Sequence, residues 1–341
     1  MNMFLRFRVF QQGTTLPLVF MIVASFLIDL VGGDLPSDQM ETMEKAAFIP
    51  MEEPPTYHLL EGYDPKWKSQ IERGVEMARD YWGSYGPAHV WILGNEKDQD
   101  IDPEFADAFI DDYCRWRRLH EQRPHGECRE YMMKRFIEVA NRGDSEAYLS
   151  WIPADQPVAE LIFINTHGWY REDEPLPDPI LRGMHEYTHV YQKAFDLTPT
   201  WMMEGGAVFT EGWLPYLAGL RPRGYNLEMI MERAQRMRHT GFTIADMESI
   251  DLASDEVAEY YLELAYDTGG WAVAFMVHNH PGRSVSTLRD EFYPMVDELG
   301  WEEALSRYVG MEDKNQFYEA FEAFMNQSRQ SQSAMLQGLK P

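Results

Sequence analysis

The sequence predicts an α+β chain: a small mixed sheet in the first half and a mainly helical second half. Short apolar, β-branched runs such as HVWILG and ELIFIN all lie before residue 166, as buried strands require. Beyond residue 178 the apolar side chains recur at three- and four-residue steps, the period of a helix. The stretch HEYTH, residues 185 to 189, sits at the join, where two packed portions supply the walls of a site. With 341 residues, 45% of them hydrophobic and 13% aromatic, the chain can bury a substantial core.

From the N-terminus, Arg6 and Arg8 precede the apolar run Leu16 to Ile28 and the small residues ending at Gly33. That order predicts a signal peptide over 1–33, because the run is shorter than the ~18 to 20 residues of a spanning helix. An uncleaved anchor is the rival reading, and only then is a membrane a partner. Residues 34–55 are acidic and proline-bearing and read as a linker. The N-terminal α/β part follows over 56–178. In it the run after Asp64 is helical, with Trp67, Ile71, Val75 and Ala78 on one side. A second helix is expected from Glu104 to Arg118, and strands at Ala147 to Ile152 and Val158 to Asn165.

The helical part spans 179–330. Asp178 is the expected cap of a helix running to about Phe195, with Pro179 in its first turn, and Thr200 the cap of the next. Further helices are expected over Asn226 to Arg238, Asp255 to His278, Arg283 to Leu299 and Asp313 to about Gln330. Residues 331–341 read as a fraying tail.

Two histidines four apart on a helix lie on one face, so His185 and His189 can hand two nitrogens to one zinc ion. Glu186 then stands where it can take a proton from water on the open side of the metal. A zinc that keeps one position open needs a third ligand, and Glu204 lies just inside the next helix. Gly205 and Gly206 are poor helix formers, and close approach to the HEYTH helix is their expected reason. Glu211 lies seven residues on, on the face of Glu204. It reads either as the hydrogen-bond partner that orients a ligand histidine or as a surface carboxylate.

HEYTH followed by PTWMMEGGAVFTE resembles the gluzincin metallopeptidases, most closely the peptidase MA-like group. That pattern runs HExxH, Pro-x-Trp-x-x-Glu-Gly-x-Ala, then a Glu seven beyond the ligand Glu, and Pro199, Trp201, Glu204, Gly205, Ala207 and Glu211 match it. The resemblance implies a thermolysin-like zincin fold, His185, His189 and Glu204 as zinc ligands and Glu186 as catalytic base. Downstream, AYDTGGWAVAFMV resembles the Tyr-x-x-Gly helix of gluzincin aminopeptidases, which gives Tyr266 the role of oxyanion donor. Periodicity alone does not choose among Tyr260, Tyr261 and Tyr266, though it turns the first two toward the core. The resemblance also suggests Leu161 to Asn165 as the edge strand that holds a substrate backbone, with His167 of the following THGW as a substrate contact or a turn residue.

Two departures bear on activity. The HExxH-to-Glu spacing is shorter than in the aminopeptidases, and no Gly-Ala-Met-Glu-Asn stretch is present to grip a free amino terminus. The expected activity is therefore zinc-dependent endopeptidase action, in which metal-bound water activated by Glu186 attacks a peptide carbonyl, outside the cytoplasm. The alternative is a non-catalytic, zinc-stabilised binding protein on the same scaffold. A net charge of −26 excludes nucleic acid as a partner. Cys114 and Cys128 can pair in an oxidising compartment or stay as thiols, and without CxxC spacing they make a poor zinc cage.

Overall fold

The computed structural model describes residues 46–95, 99–120, 124–169, 176–196 and 198–341. The expected signal peptide and most of the expected linker lie outside them. The chain is mixed α+β, with helices dominating and two small sheets. A two-residue strand, β1 (Ile49–Pro50), pairs antiparallel with β3 (Tyr85–Gly86). The main sheet has four strands, β2 (Thr56–Leu59), β4 (Ala88–Leu93), β5 (Glu146–Ile152) and β6 (Val158–Ile164), in the order β2-β4-β6-β5. The first three in that order run parallel, and β5 lies antiparallel to β6 at the rim.

This order corrects one expectation. The strand read as the edge, β6, is paired on both sides, by Leu161 with Val90 and with Leu149. All seven of its residues are buried, as an interior strand covered on both faces should be. The free edge on that side belongs to β5.

Between β2 and β3 runs α1 (Pro65–Trp82), started by Asp64, whose carboxylate accepts from Lys66 N at 2.9 Å, with Pro65 in the first turn. Asp102 and Pro103 start α2 (Pro103–Arg117) in the same way. A helix absent from the sequence reading, α3 (His125–Met132), follows and continues through a π segment to Asn141. The disulfide Cys114–Cys128, with Cα atoms 5.9 Å apart, ties α3 to α2. Helix α2 covers one face of the sheet, where Trp91 packs edge-on against Phe109 and Tyr113.

On that face His58 and His89, from neighbouring strands, share a hydrogen bond of 3.0 Å, and His58 stacks on Trp91. Burial, with His58 and His120 adding to it, pushes His89 down to about 4. An unfolded histidine takes its proton near 6.5, so the unfolded chain binds more protons between those values. Folding stability is therefore expected to fall as pH drops from about 6.5 towards 4. Denaturant titrations across that range check this, and His89→Gln should flatten the slope.

The helix carrying HEYTH, α4 (Asp178–Gln192), lies against α1 and reaches β5 and β6. The crossing of α1 and α4 is made of bare backbone: a Cβ on Gly183 would stand 2.4 Å from Ile71 O, and one on Gly74 2.0 Å from Ile180 O. Every residue of α4 from Pro179 to Gln192 is buried. The residue before α4 is Pro177, which offers no side-chain cap, and Asp178 is already helical. Likewise α5 (Thr200–Leu217) begins after Pro199. Thr200 is its first residue, and its hydroxyl accepts from Ile250 N at 3.1 Å instead of capping.

The rest is helical with interruptions. After α6 (Tyr225–Arg236) and the single turn α7 (Asp255–Ala258), a π segment, Leu262–Thr268, leads into α8 (Gly269–Asn279). The continuous helix expected from 255 to 278 is thus broken. The expected helix from Arg283, whose own φ is 51, begins instead at Ser286 and passes into a π segment at Leu288. It gives way to α9 (Tyr293–Leu299), α10 (Trp301–Val309) and α11 (Lys314–Met325). The expected fraying tail is a helix, α12 (Arg329–Gln337), with Gln332, Met335 and Leu336 buried; Lys340 beyond it bridges to Ser284. The described end of the expected linker is also seated, since Ala46 and Phe48 are buried and Ala47 N donates to Lys193 O at 2.9 Å. No helix among the described residues is long and apolar enough to cross a membrane.

Candidate metal centre

Helices α4 and α5 bring His185, His189 and Glu204 together, their nearest ligand atoms all within 4.8 Å of one another. Both Nε2 atoms stand 3.3 Å from the same oxygen, Glu204 Oε2. Ion-paired imidazolium and carboxylate approach closer, to about 2.7–2.9 Å. Two donors on one small tetrahedral ion, with bonds of ~2.0–2.2 Å, stand roughly 3.3–3.5 Å apart. The two 3.3 Å spacings, within a group that extends to 4.8 Å, are compatible with one ion held between the three side chains.

The outward ring nitrogens are held by other partners. His185 Nδ1 lies 2.9 Å from Glu211 Oε1, and His189 Nδ1 lies 2.7 Å from Gln192 Oε1. These bonds direct each Nε2 inward, as the outer partners of metal-bound histidines do. Glu211 is buried and also pairs with Arg182. Gln192 is fixed in turn by donating to Met203 O at 3.0 Å and to Tyr293 OH at 2.9 Å. Gln192 and Arg182 escaped the sequence reading. Both are on α4, three residues from a ligand histidine, a spacing that places them beside it.

Charge makes the same point. Glu186, Glu204 and Glu211 are all buried, and Arg182 is the one buried guanidinium among them. Three carboxylates against one guanidinium leave two negative charges, which one dication neutralises. Without an ion His185 takes up the burden: burial opposes its protonation, but its bonds to Glu204 and Glu211 outweigh that and push its pKa up to about 9. Burial raises Glu204 too, yet His189 and His185 hold it well below the usual carboxylate range.

Several buried polar atoms here lack a hydrogen-bond partner, two of them on residues that the sequence singled out. Glu186 Oε1 and Tyr266 OH are both buried and unbonded. Burial raises the Glu186 carboxyl, and the histidines offset this only in part. Tyr266 stacks on His185 with centroids 5.6 Å apart and planes at 8°. Burial, with Glu204 adding to it, pushes its phenol well above the usual range, so it keeps its proton at neutral pH.

Among the tyrosines, Tyr260 and Tyr261 pack against the core as periodicity expects, though only in part. Tyr266 is fully buried, whereas Tyr260 and Tyr261, expected to face the core, are half-buried. The π segment that begins after Tyr261 and contains Tyr266 departs from the 3.6-residue period. Tyr261 also reaches the site and donates to Glu204 Oε1 at 3.0 Å. The side chain of His167 lies outside the described residues.

The glycines are also placed differently. A Cβ on Gly205 would stand 2.2 Å from the carbonyl carbon of Gly269, so the close approach is to the start of α8, not to α4. Gly206 does face α4, through Gln192 Nε2 at 2.6 Å. Gly205→Ala is expected to cost ~3 kcal/mol or more, because backbone cannot swing aside as a side chain can. Chemical denaturation checks this. No family model, no curated protein and no solved structure matches the chain.

Proposed function

We propose that this chain is a zinc-dependent metallohydrolase of the gluzincin kind, on a thermolysin-like scaffold, that cleaves peptides internally. The observation that carries the reading is Glu186 Oε1, a buried carboxylate oxygen with no partner, beside a group of two histidines and a glutamate. A buried carboxylate oxygen without a hydrogen bond costs stability and has no use in a purely structural site. Two nitrogens and one carboxylate suit zinc and leave it an open position. When bound, zinc supplies Lewis acidity toward water and a carbonyl oxygen.

The protein's own groups divide the remaining work. Glu186, raised by burial, accepts a proton from the attacking water and passes it to the leaving nitrogen. Tyr266 donates its free hydroxyl to the oxygen on which negative charge develops, and a dry surrounding strengthens that bond. Glu211 and Gln192 keep the ligand rings aimed. The disulfide supports an oxidising, extracytoplasmic location, with an anchored form as the alternative.

Depth of burial favours one second reading, a zinc-stabilised binding protein, since His185 is 0% and Glu186 1% exposed. Metal analysis together with a cleavage profile on a peptide library separates the two. One zinc per chain with chelator-sensitive cleavage supports the peptidase; one zinc per chain and an uncut library supports the binding protein.

A further inference from the structure

The two oxygens of Glu204 have different neighbours. Oε2 is the atom 3.3 Å from both histidine Nε2 atoms, while Oε1 accepts from Tyr261 OH at 3.0 Å. We infer that Tyr261 is a positioning residue that engages Glu204 Oε1 and so reserves a single carboxylate oxygen, Oε2, for the metal. The inference rests on the metal centre proposed above.

The helix geometry explains how a tyrosine outside the expected face arrives there. On an α-helix, residues five apart lie about 140° round the axis from each other. The π segment Leu262–Thr268 bonds at the i to i+5 step, which stacks residue 266 over residue 261. Tyr261 and Tyr266 accordingly meet edge to face, centroids 5.5 Å apart. One π segment thus aims two phenols at the centre: the Tyr266 hydroxyl stays unbonded, and the Tyr261 hydroxyl is spent on the glutamate ligand.

A carboxylate free at both oxygens can swing to bind a cation through both, filling a position that water or substrate needs. A phenol on Oε1 opposes that swing, and its hydrogen bond fixes the orientation of the ligand. Partners of this kind are worth about 10- to 100-fold in metal affinity. Tyr261 therefore acts through Glu204 and not on substrate.

The test uses Tyr261→Phe in the full chain, with cobalt(II) as the probe. Cobalt visible absorption reads coordination number in the resting protein, and chelator competition reads affinity. The expected result is a weaker, more nearly five-coordinate visible spectrum and affinity lower by about 10- to 100-fold. Tyr260→Phe, whose ring packs on Phe242, should match the wild type. Thermal unfolding of the metal-free forms verifies that both variants fold. An unchanged spectrum and affinity in Tyr261→Phe overturns the inference while leaving the metal centre standing. A wild-type protein that binds no cobalt overturns both.

Discussion

Glu186→Gln is expected to keep zinc bound at the wild-type level and to lower peptide cleavage by about 10²–10⁴-fold, the span a positioned proton carrier contributes. Glutamine has the shape of glutamate but cannot take a proton from water. His185, His189 and Glu204, with their partners Glu211 and Gln192, are untouched by the change. The loss should therefore fall on kcat, and metal content measured on the same sample should not move. The same variant removes a buried carboxylate with one unbonded oxygen, whose charged form burial disfavours, so its metal-free form should be at least as stable as wild type. Full activity in Glu186→Gln would remove Glu186 from the mechanism.

Metal removal should produce the second large effect. Stripped by chelator, the protein must hold Glu186, Glu204 and Glu211 around Arg182 alone, with protonated histidine as the substitute counter-charge. A ligand that binds only the folded state adds ~2.7 kcal/mol at 100 times its dissociation constant and ~4.1 at 1,000 times. For a chain of this size that is a melting shift of roughly five degrees or more. Calorimetry with chelator, then with added zinc, should show the transition fall and recover, and stripping should be accompanied by proton uptake. Coincident transitions with and without metal would show that the three-residue group holds no ion.

How much of this was legible depends on how local each signal is. The run after Asp64 and the strands around Val90 and Ile162 carry their period and caps within a few residues, and the structure has elements there. HEYTH and Glu204 could be placed on neighbouring helices because α4 and α5 follow each other directly. That β5 and not β6 forms the edge is settled by pairing partners far apart in sequence, which no window of residues contains. The four residues of β2 are too few and too exposed to show alternation. The tail hid its helix because Met335 and Leu336 are its only large apolar residues within a polar run.

The π segment between Tyr261 and Tyr266 has a further consequence for how this chain can vary. A π turn carries one residue more than the α turn it replaces. Deleting a single residue between 262 and 265 would let the backbone return to the commoner, more regular helix while shortening the chain by one. The apolar content of the segment would hardly change, and a stability screen would pass the deletion or even favour it. The two phenols would then stand four apart, about 40° from each other round an α-helix, and would stay on one face. The pairing of the two phenols thus joins chain length to helix type: five apart on a π turn, or four apart on an α turn.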